Sequence, residues 1–381
     1  MNPMRKHMQA KRRSVQTGVS LVELMISITV GLVLVSSIAM LIIKQDGTRL
    51  EMDKTSRQIE NGRYATQLLQ NDIQHAGFYG DFWNVASKPG TPTAMPNPCS
   101  TEANMDTAKF PAELFAALSV PVQGFDSITT VPAPLSSCLE DADHLDGTDV
   151  LVIRRVDTVT TPITSAVPGQ IYMQTSYKEP KLAVASNDAA SNEATFNLHK
   201  YDGTLETDLR RMMVTIYYVS PCNVPATGTT CTGPNDDGGQ PIPTLKRLEL
   251  GVSAGAPVIT SPVPLVEGIQ DMQLDFGLDE ITATTTVFDG SPDRYSTGTK
   301  TTTDSAGVTT SAPIAAADWA NVVSVRLNFL ARNKEATAGY ADTKTYQLGP
   351  EVTVGPFKDS FKRRVFSEVV RVVNSGGRRE K

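Results

Sequence analysis

The sequence predicts an α+β fold in which one long N-terminal helix, first apolar and then amphipathic, packs on a C-terminal domain rich in antiparallel β-strands. Three observations support it. The run from Val19 to Ile43 is apolar apart from one charge, Glu23. No proline lies between Met4 and Lys88, so the helix can continue beyond this run. Downstream, runs of alternating apolar and polar residues recur, which is typical of half-buried antiparallel strands.

The apolar run, residues 19–43, predicts a membrane-spanning segment. As a helix its 25 residues extend about 37 Å, enough to cross a hydrocarbon layer of ~30 Å. Residues 1–18 contain basic residues and no acid, which favours a cytoplasmic N-terminus and an exported remainder. No small-x-small cleavage site follows the run, so we expect any cut to lie before it. A plain signal anchor would leave Gly18 and Glu23 unexplained.

Residues 44–80 predict the amphipathic half of the same helix. We expect the whole helix to run from about Val19 to His75. Small or apolar residues recur there at steps of three or four, which indicates a buried face. These are Ile59, Gly62, Thr66, Leu69, Ile73 and Ala76. The opposite face is expected to carry Gln58, Arg63, Gln67 and Gln74.

Residues 81–381 predict a periplasmic β-rich head. Its first part, residues 81–147, is expected to be rich in loops, and residues 280–318, dominated by Thr, Ser, Ala and Gly, are expected to form a mobile or partly disordered loop. The predicted strands are Asp149–Val156, Gln170–Thr175, Arg211–Val219, Thr244–Leu250, Gln270–Leu278, Asn321–Ala331 and Arg364–Val373.

The four cysteines all follow the apolar run, and an even number in an exported domain indicates two disulfides. We expect Cys222 to pair with Cys231 across a short loop, which leaves Cys99 for Cys138; buried free thiols are the alternative. No C-x-x-C pair occurs, so a zinc site is not expected. The formal net charge of −6 argues against direct nucleic-acid binding, which needs a basic surface.

Two chemical motifs are better explained as turns. Gly251-Val252-Ser253-Ala254-Gly255 matches G-x-S-x-G, but the prolines that follow cannot open the helix that a nucleophile elbow requires. The acidic stretch around Asp141, Asp143, Asp146 and Asp149 is a weak calcium candidate, since its spacing departs from that of a calcium-binding loop. A solvated turn before the strand at Val150 is the favoured interpretation. We expect no cofactor, no metal and no enzymatic activity.

Gly18 followed by V-S-L-V-E-L-M resembles the class III signal of type IV pilins and their relatives. The resemblance implies a pilin-like fold, a leader at residues 1–18, cleavage between Gly18 and Val19 by the prepilin peptidase, and N-methylation of Val19. The family usually has Phe at this position, so Val19 is a departure. The new amine would lie one helical turn from Glu23 and could compensate its charge within or between subunits.

Four further stretches resemble the PilW-type minor pilins, in the order expected for them: Gly62–Gly80, Gly147–Arg155, Val266–Gly277 and Phe361–Phe366. This resemblance implies a minor pilin that is stored in the inner membrane and joins a type IV pilus. The implied partners are membrane lipid, the prepilin peptidase, the major pilin, other minor pilins and the inner-membrane assembly platform. Initiation of assembly would support motility, adhesion or DNA uptake.

Two alternatives remain open at this stage. A minor pseudopilin of a type II secretion system would share the N-terminal segment, although a head of about 300 residues is large for one. A membrane-anchored extracytoplasmic binding protein or hydrolase that never polymerises belongs to a different class. It predicts an uncut N-terminus and tolerance of Glu23→Ala.

Overall fold

The computed structural model describes residues 18–82, 90–101, 113–176, 179–206, 208–281, 287–303 and 309–379. The chain divides into two units, Met1–Asp53 and Lys54–Lys381. The predicted α+β class is confirmed, since a long N-terminal helix precedes a domain of antiparallel sheets. The helices are α1 (Leu21–His75), α2 (Glu113–Ala116), α3 (Ala189–Thr195), α4 (Ala316–Trp319) and α5 (Val373–Gly376).

Sixteen strands form the β-structure of the described residues. They are β1 (Val122–Ile128), β2 (Thr148–Pro162), β3 (Ile171–Thr175), β4 (Pro180–Val184), β5 (Asp208–Ser220), β6 (Thr244–Ser253), β7 (Ala256–Ile259), β8 (Val263–Glu267), β9 (Ile269–Leu278), β10 (Arg294–Ser296), β11 (Thr299–Thr303), β12 (Thr309–Pro313), β13 (Val322–Arg332), β14 (Tyr346–Leu348), β15 (Val352–Val354) and β16 (Arg363–Arg371). All seven predicted strands are present.

The larger sheet has eight strands and is antiparallel throughout. Its main path runs β1-β2-β5-β3-β4, and β6 continues from β5 to pair with β7 and β8. The second sheet has four strands in the order β10-β9-β13-β16. Two hairpins, β11-β12 and β14-β15, stand outside both sheets.

The main core of the second unit lies where α1 meets both sheets. The α1 contribution is a row of fully buried residues at helical spacing, Ala65, Leu69 and Ile73, and Ala76 continues it directly after the helix. The larger sheet supplies Val122, Leu151, Ile153, Val219 and Leu245, and the four-stranded sheet supplies Leu274, Phe276, Leu327, Phe329 and Val370. Alternate residues of each strand therefore face the helix, because side chains in a strand point to opposite faces in turn.

The opposite face of the larger sheet has its own core. Residues such as Val152, Val214 and Ile216 pack there against the segment that contains α2, with Phe115, Leu118 and Leu135. A sheet buried on both faces explains why β2 and β5 read as long apolar runs.

Three expectations differ from the structure. Gln58 is 6% exposed, not on the polar face, and its Nε2 donates to the carbonyls of Ala331 (2.7 Å) and Lys362 (2.8 Å). The loop-rich stretch 81–147 contains β1, which pairs with β2. The stretch 280–318, expected to be a loop, contains β10, β11, β12 and most of α4. Its many threonines are polar, but their branched side chains favour strands.

Candidate membrane anchor and assembly site

The helix α1 begins directly after the predicted cleavage position. The amide of Leu24 donates to the carbonyl of Ser20 (3.0 Å), and the amide of Ser20 donates to Glu23 Oε2 (3.4 Å). Ser20 is thus the N-cap residue, and the Glu23 carboxylate reaches back to its backbone N–H, as in one half of a capping box. The S-x-x-E spacing is visible in the sequence and was missed as a capping signal.

Gly18 and Val19 are the first two described residues, and Glu23 lies in the first turn of α1. Val19 is 72% exposed, and a Cβ at Gly18 would meet no atom within 4 Å. No packing requirement therefore accounts for glycine at position 18. The rest of the predicted leader, residues 1–17, lies outside the described residues.

The apolar half of α1 is exposed along its whole length. Every large apolar side chain from Val19 to Ile43 is between 51% and 73% exposed. Among the described residues, α1 is the one helix long and apolar enough to cross a membrane. Its hydroxyls are satisfied within the helix, for example Ser27 Oγ to the Glu23 carbonyl (2.7 Å) and Ser36 Oγ to the Leu32 carbonyl (2.8 Å). A helix in lipid must satisfy its polar groups in this way.

The four cysteines form two disulfides, Cys99–Cys138 and Cys222–Cys231, with Cα–Cα distances of 5.6 and 5.8 Å. These are the predicted pairs, and no described cysteine is free. The Cys222–Cys231 loop is held further by two carboxylates that follow it in the chain. The Asp236 carboxylate accepts hydrogen bonds from the amides of Ala226, Thr232 and Gly233. The Asp237 carboxylate accepts hydrogen bonds from the amides of Asn223 and Val224. The hydrogen bonds from Ala226, Gly233 and Thr232 lower the pKa of Asp236.

The weak calcium candidates have other partners. The Asp141 carboxylate accepts a hydrogen bond from the amide of Val131 (2.7 Å), and the Asp143 carboxylate accepts one from the amide of Cys231 (2.9 Å). The Asp149 carboxylate accepts hydrogen bonds from the amides of Ser127 and Leu274 (both 2.7 Å). Asp146 is exposed. In the described part of the chain, no three of these carboxylates bring their oxygens within 4.8 Å of one another.

The electrostatics of these carboxylates follow from burial. Burial raises the pKa of Asp143 and raises the pKa of Asp149 well above its usual range, although the amides that they accept oppose the shift. The neighbouring Lys246 is 2% exposed, and burial lowers the pKa of its ammonium while Asp143 opposes this. These groups tie loops to strands.

The G-x-S-x-G string forms a hairpin turn, as expected. Ser253 ends β6, Ala256 begins β7, and the two residues between them, Ala254 and Gly255, have φ of 50° and 76°. Positive φ at both central residues is the geometry of a two-residue hairpin. The serine is therefore not presented at a strand-to-helix elbow.

A buried ion pair fixes the end of α1 to the larger sheet, and the sequence analysis missed it. Arg155 Nε lies 2.6 Å from Asp72 Oδ1, and the Tyr217 hydroxyl donates to Asp72 Oδ2 (3.0 Å). Burial, and then the Asp72 charge, raises the pKa of Tyr217. The available signal was an acid between Leu69 and Ile73 on the apolar face of the helix.

Residues 229–374 match the family model of the type IV pilus-assembly protein W, PilW. The chain carries a PilW domain. No curated protein and no solved structure matches the chain. The PilW domain begins inside the Cys222–Cys231 loop, includes β6 to β16 and ends in α5.

The predicted PilW-like character is confirmed over the PilW domain, where Val266–Gly277 and Phe361–Phe366 lie. The other two similar stretches, Gly62–Gly80 and Gly147–Arg155, fall outside the matched range. The PilW domain and the exposed apolar helix together fit a type IV pilus-associated protein with a candidate membrane anchor.

Proposed function

We propose that this protein is a minor pilin that is inserted in the inner membrane, cut between Gly18 and Val19, and assembled into a type IV pilus. The observation that carries the proposal is the presence of a PilW domain on a chain whose apolar helix begins directly after Gly18-Val19. The cut would release the amine of Val19, which the peptidase would then N-methylate.

The role proposed for Glu23 is charge pairing during assembly. An α-amine titrates near 7.7–8.0 in model compounds, so much of it carries a positive charge at neutral pH. Val19 precedes the N-cap residue Ser20, and Glu23, four residues on, lies in the first turn of α1 at the positive end of the helix. In a low-dielectric surrounding, Glu23 of an incoming subunit could pair with the amine of a neighbour and set its axial register.

The exposed apolar side chains of residues 19–43 need a second surface. Membrane lipid would cover them before assembly, and the corresponding helices of neighbouring pilins would cover them in the fibre. The basic leader favours a cytoplasmic N-terminus and a periplasmic head. The partners are then the prepilin peptidase, the assembly platform, the major pilin and other minor pilins, and the protein acts by packing and presentation rather than by catalysis.

Processing is tested by the intact mass of the protein from membranes. We expect a species that begins at N-methylated Val19. In Gly18→Val the leader should remain attached, because the proposed cut follows this glycine, whereas Gly31→Val should be processed normally. A Cβ meets no atom within 4 Å at either glycine, so neither substitution should disturb packing. Mature wild-type protein that keeps residues 1–18 in a host with an active peptidase would refute the proposal.

Assembly is tested separately with Glu23→Gln, and the exposed Asp46→Asn on the same helix is the control. We expect Glu23→Gln to be inserted and cut but to reach surface fibres poorly, with Asp46→Asn unaffected. An uncut N-terminus, absence of the wild-type protein from fibres and no effect of Glu23→Gln would favour a membrane-anchored binding protein. Loss of secretion with intact fibres in a deletion strain would favour a type II pseudopilin.

A further inference from the structure

The strand β16 forms one edge of the four-stranded sheet. It pairs with β13 over nine residues, from Arg332↔Arg363 to Ser324↔Arg371, without a register shift. Asn333 donates to the carbonyl of Lys362, and Val372 donates to that of Val323. In an antiparallel ladder, alternate residues direct their backbone N–H and C=O groups toward the partner strand. The even-numbered residues from 362 to 372 therefore direct these groups toward β13, and the odd-numbered residues direct them away from it.

Three of these outward residues, Val365, Ser367 and Val369, have backbone groups that no other described residue pairs with. Ser367, Glu368 and Val369 are exposed in succession, and Val369 is 52% exposed. Consecutive residues point to opposite faces, so exposure of all three means that both faces and the edge are open at this point. Such an edge is a template for another strand.

From this edge we infer that β16 accepts an extended segment of another pilus subunit as an additional strand. The inference rests on the proposed function, since it needs neighbouring pilins in the fibre. Arg364 is exposed near the N-terminal end of β16, and Ser367 and Val369 are exposed further along it. A segment with an acidic side chain opposite Arg364, and small or apolar side chains opposite Ser367 and Val369, would match the strand.

A second copy of this chain fits the edge less well. Antiparallel self-pairing with full overlap would reverse one head relative to the other. Gln58 of α1 bonds Lys362 before β16, and the Gln74 carbonyl bonds Asn374 after it, so this part of α1 runs in the same direction as β16. In the two copies this part of α1 would run in opposite directions, whereas the subunits of the proposed fibre share one orientation.

The test uses the full-length protein in cells that assemble pili, with a photo-crosslinking amino acid at Val369. We expect a cross-link to an extended segment of a sister pilin, mapped by mass spectrometry. Proline has no N–H, and an edge strand tolerates it at positions where the replaced residue's N–H would face solvent. Ser367→Pro removes an outward donor and should reduce the cross-link about tenfold, equivalent to about 1.4 kcal/mol. Ser367→Ala, which keeps the donor, should not.

A second pair of variants guards against misfolding of Ser367→Pro. Val369→Lys places a charge at the edge, and Val159→Lys, at a valine that is 70% exposed on β2, is its control. With the photo-crosslinker moved to Ser367, only Val369→Lys should lose the cross-link. A cross-link to a second copy of this chain, or none from correctly cut and assembled protein, would overturn the inference. The intact mass of the same material separates this failure from a failure of processing, which concerns the proposed function.

Discussion

Gly62 of α1 lies directly under the ring of Phe366 on β16. A Cβ at position 62 would overlap Cε2 of the Phe366 ring, closer than real Cβ atoms approach other atoms. The backbone of α1 therefore touches the β16 side chain without an intervening side chain. The absence of a Cβ at this one position sets how closely the helix approaches the four-stranded sheet.

We expect Gly62→Ala to destabilise the head by about 2 kcal/mol, because the added methyl overpacks a filled interface. The change is unusual in sign, since alanine in place of helical glycine normally stabilises by roughly 0.5–1 kcal/mol. The free energy of unfolding of the detergent-solubilised chain provides the measurement.

The control for this prediction is Gly47→Ala, where a Cβ would meet no atom within 4 Å. It should leave the head unchanged or slightly more stable. Combining Gly62→Ala with Phe366→Leu, which replaces the ring with a smaller side chain, should recover part of the lost stability. Equal effects of the two glycine substitutions would show that contact with Phe366 is not the cause.

Asp72 joins the end of α1 to two strands, and we expect Asp72→Ala to cost about 2–3 kcal/mol of unfolding free energy. Removal of one partner of a buried pair typically costs 3–5 kcal/mol. The lower figure applies here because the Arg155 side chain keeps 18% exposure and water can solvate part of it. Tyr217 would also lose its acceptor.

The matched control is Glu60→Ala, an exposed acid on the same helix. Surface substitutions of this kind usually change stability by less than about 0.5 kcal/mol. The Asp72 effect should persist at high salt, since buried pairs are screened far less than exposed ones. If raising the salt concentration removed it, the pair would be acting as a surface ion pair.

Sequence periodicity was sufficient for the elements that carry long regular patterns. The end of α1 at His75 and the buried positions Gly62, Leu69 and Ile73 followed from spacing alone. The seven longer predicted strands were found because alternation over several residues is a strong signal. The disulfide pairs followed from parity and from one short loop.

Polar residues with tertiary partners could not be placed in this way. Gln58 and Asp72 are polar, so residue type assigned them to solvent or gave no signal, yet each bonds to groups distant in sequence. Asp149 looked like a cation ligand because its partners, the amides of Ser127 and Leu274, are not identifiable before folding. Short strands such as β10 and β14, of three residues each, have too few residues for a period.

The stability of the head should fall as the pH rises from about 4 to about 6. Burial raises the pKa of Asp271 to about 6, although Gln273 donates to its carboxylate. The unfolded chain has a pKa near 3.9, so in this interval the folded state binds more protons than the unfolded state. Ionisation then costs stability, up to about 3 kcal/mol for the full interval at 1.36 kcal/mol per unit.

Asp271→Asn should flatten this part of the pH profile, as measured by denaturant unfolding at several pH values. Asp188→Asn is a control of the opposite sign. Hydrogen bonds from the Ser191 hydroxyl and amide lower the pKa of Asp188, so its contribution is present at higher pH and is lost in acid. Asp188→Asn should leave the decline from pH 4 to 6 intact. A profile that does not flatten in Asp271→Asn would assign the decline to another group, such as Asp149.

The two disulfides should differ in what their removal costs. Cys99–Cys138 closes a separation of 39 residues and Cys222–Cys231 one of 9, and loop-closure entropy alone gives about 4 and about 3 kcal/mol. The carboxylates of Asp236 and Asp237 add to this difference, because they keep accepting backbone amides of the shorter loop after its sulfurs are removed.

We therefore expect the double variant Cys222→Ala with Cys231→Ala to be more stable than Cys99→Ala with Cys138→Ala, in urea unfolding without reductant. Adding Asp236→Ala to the first pair should remove most of that advantage, since the loop then loses both its covalent and its hydrogen-bonded closure. If Asp236→Ala had the same effect with and without the disulfide, the carboxylate and the disulfide would be acting independently, and the larger cost of the Cys99–Cys138 pair would follow from loop length alone.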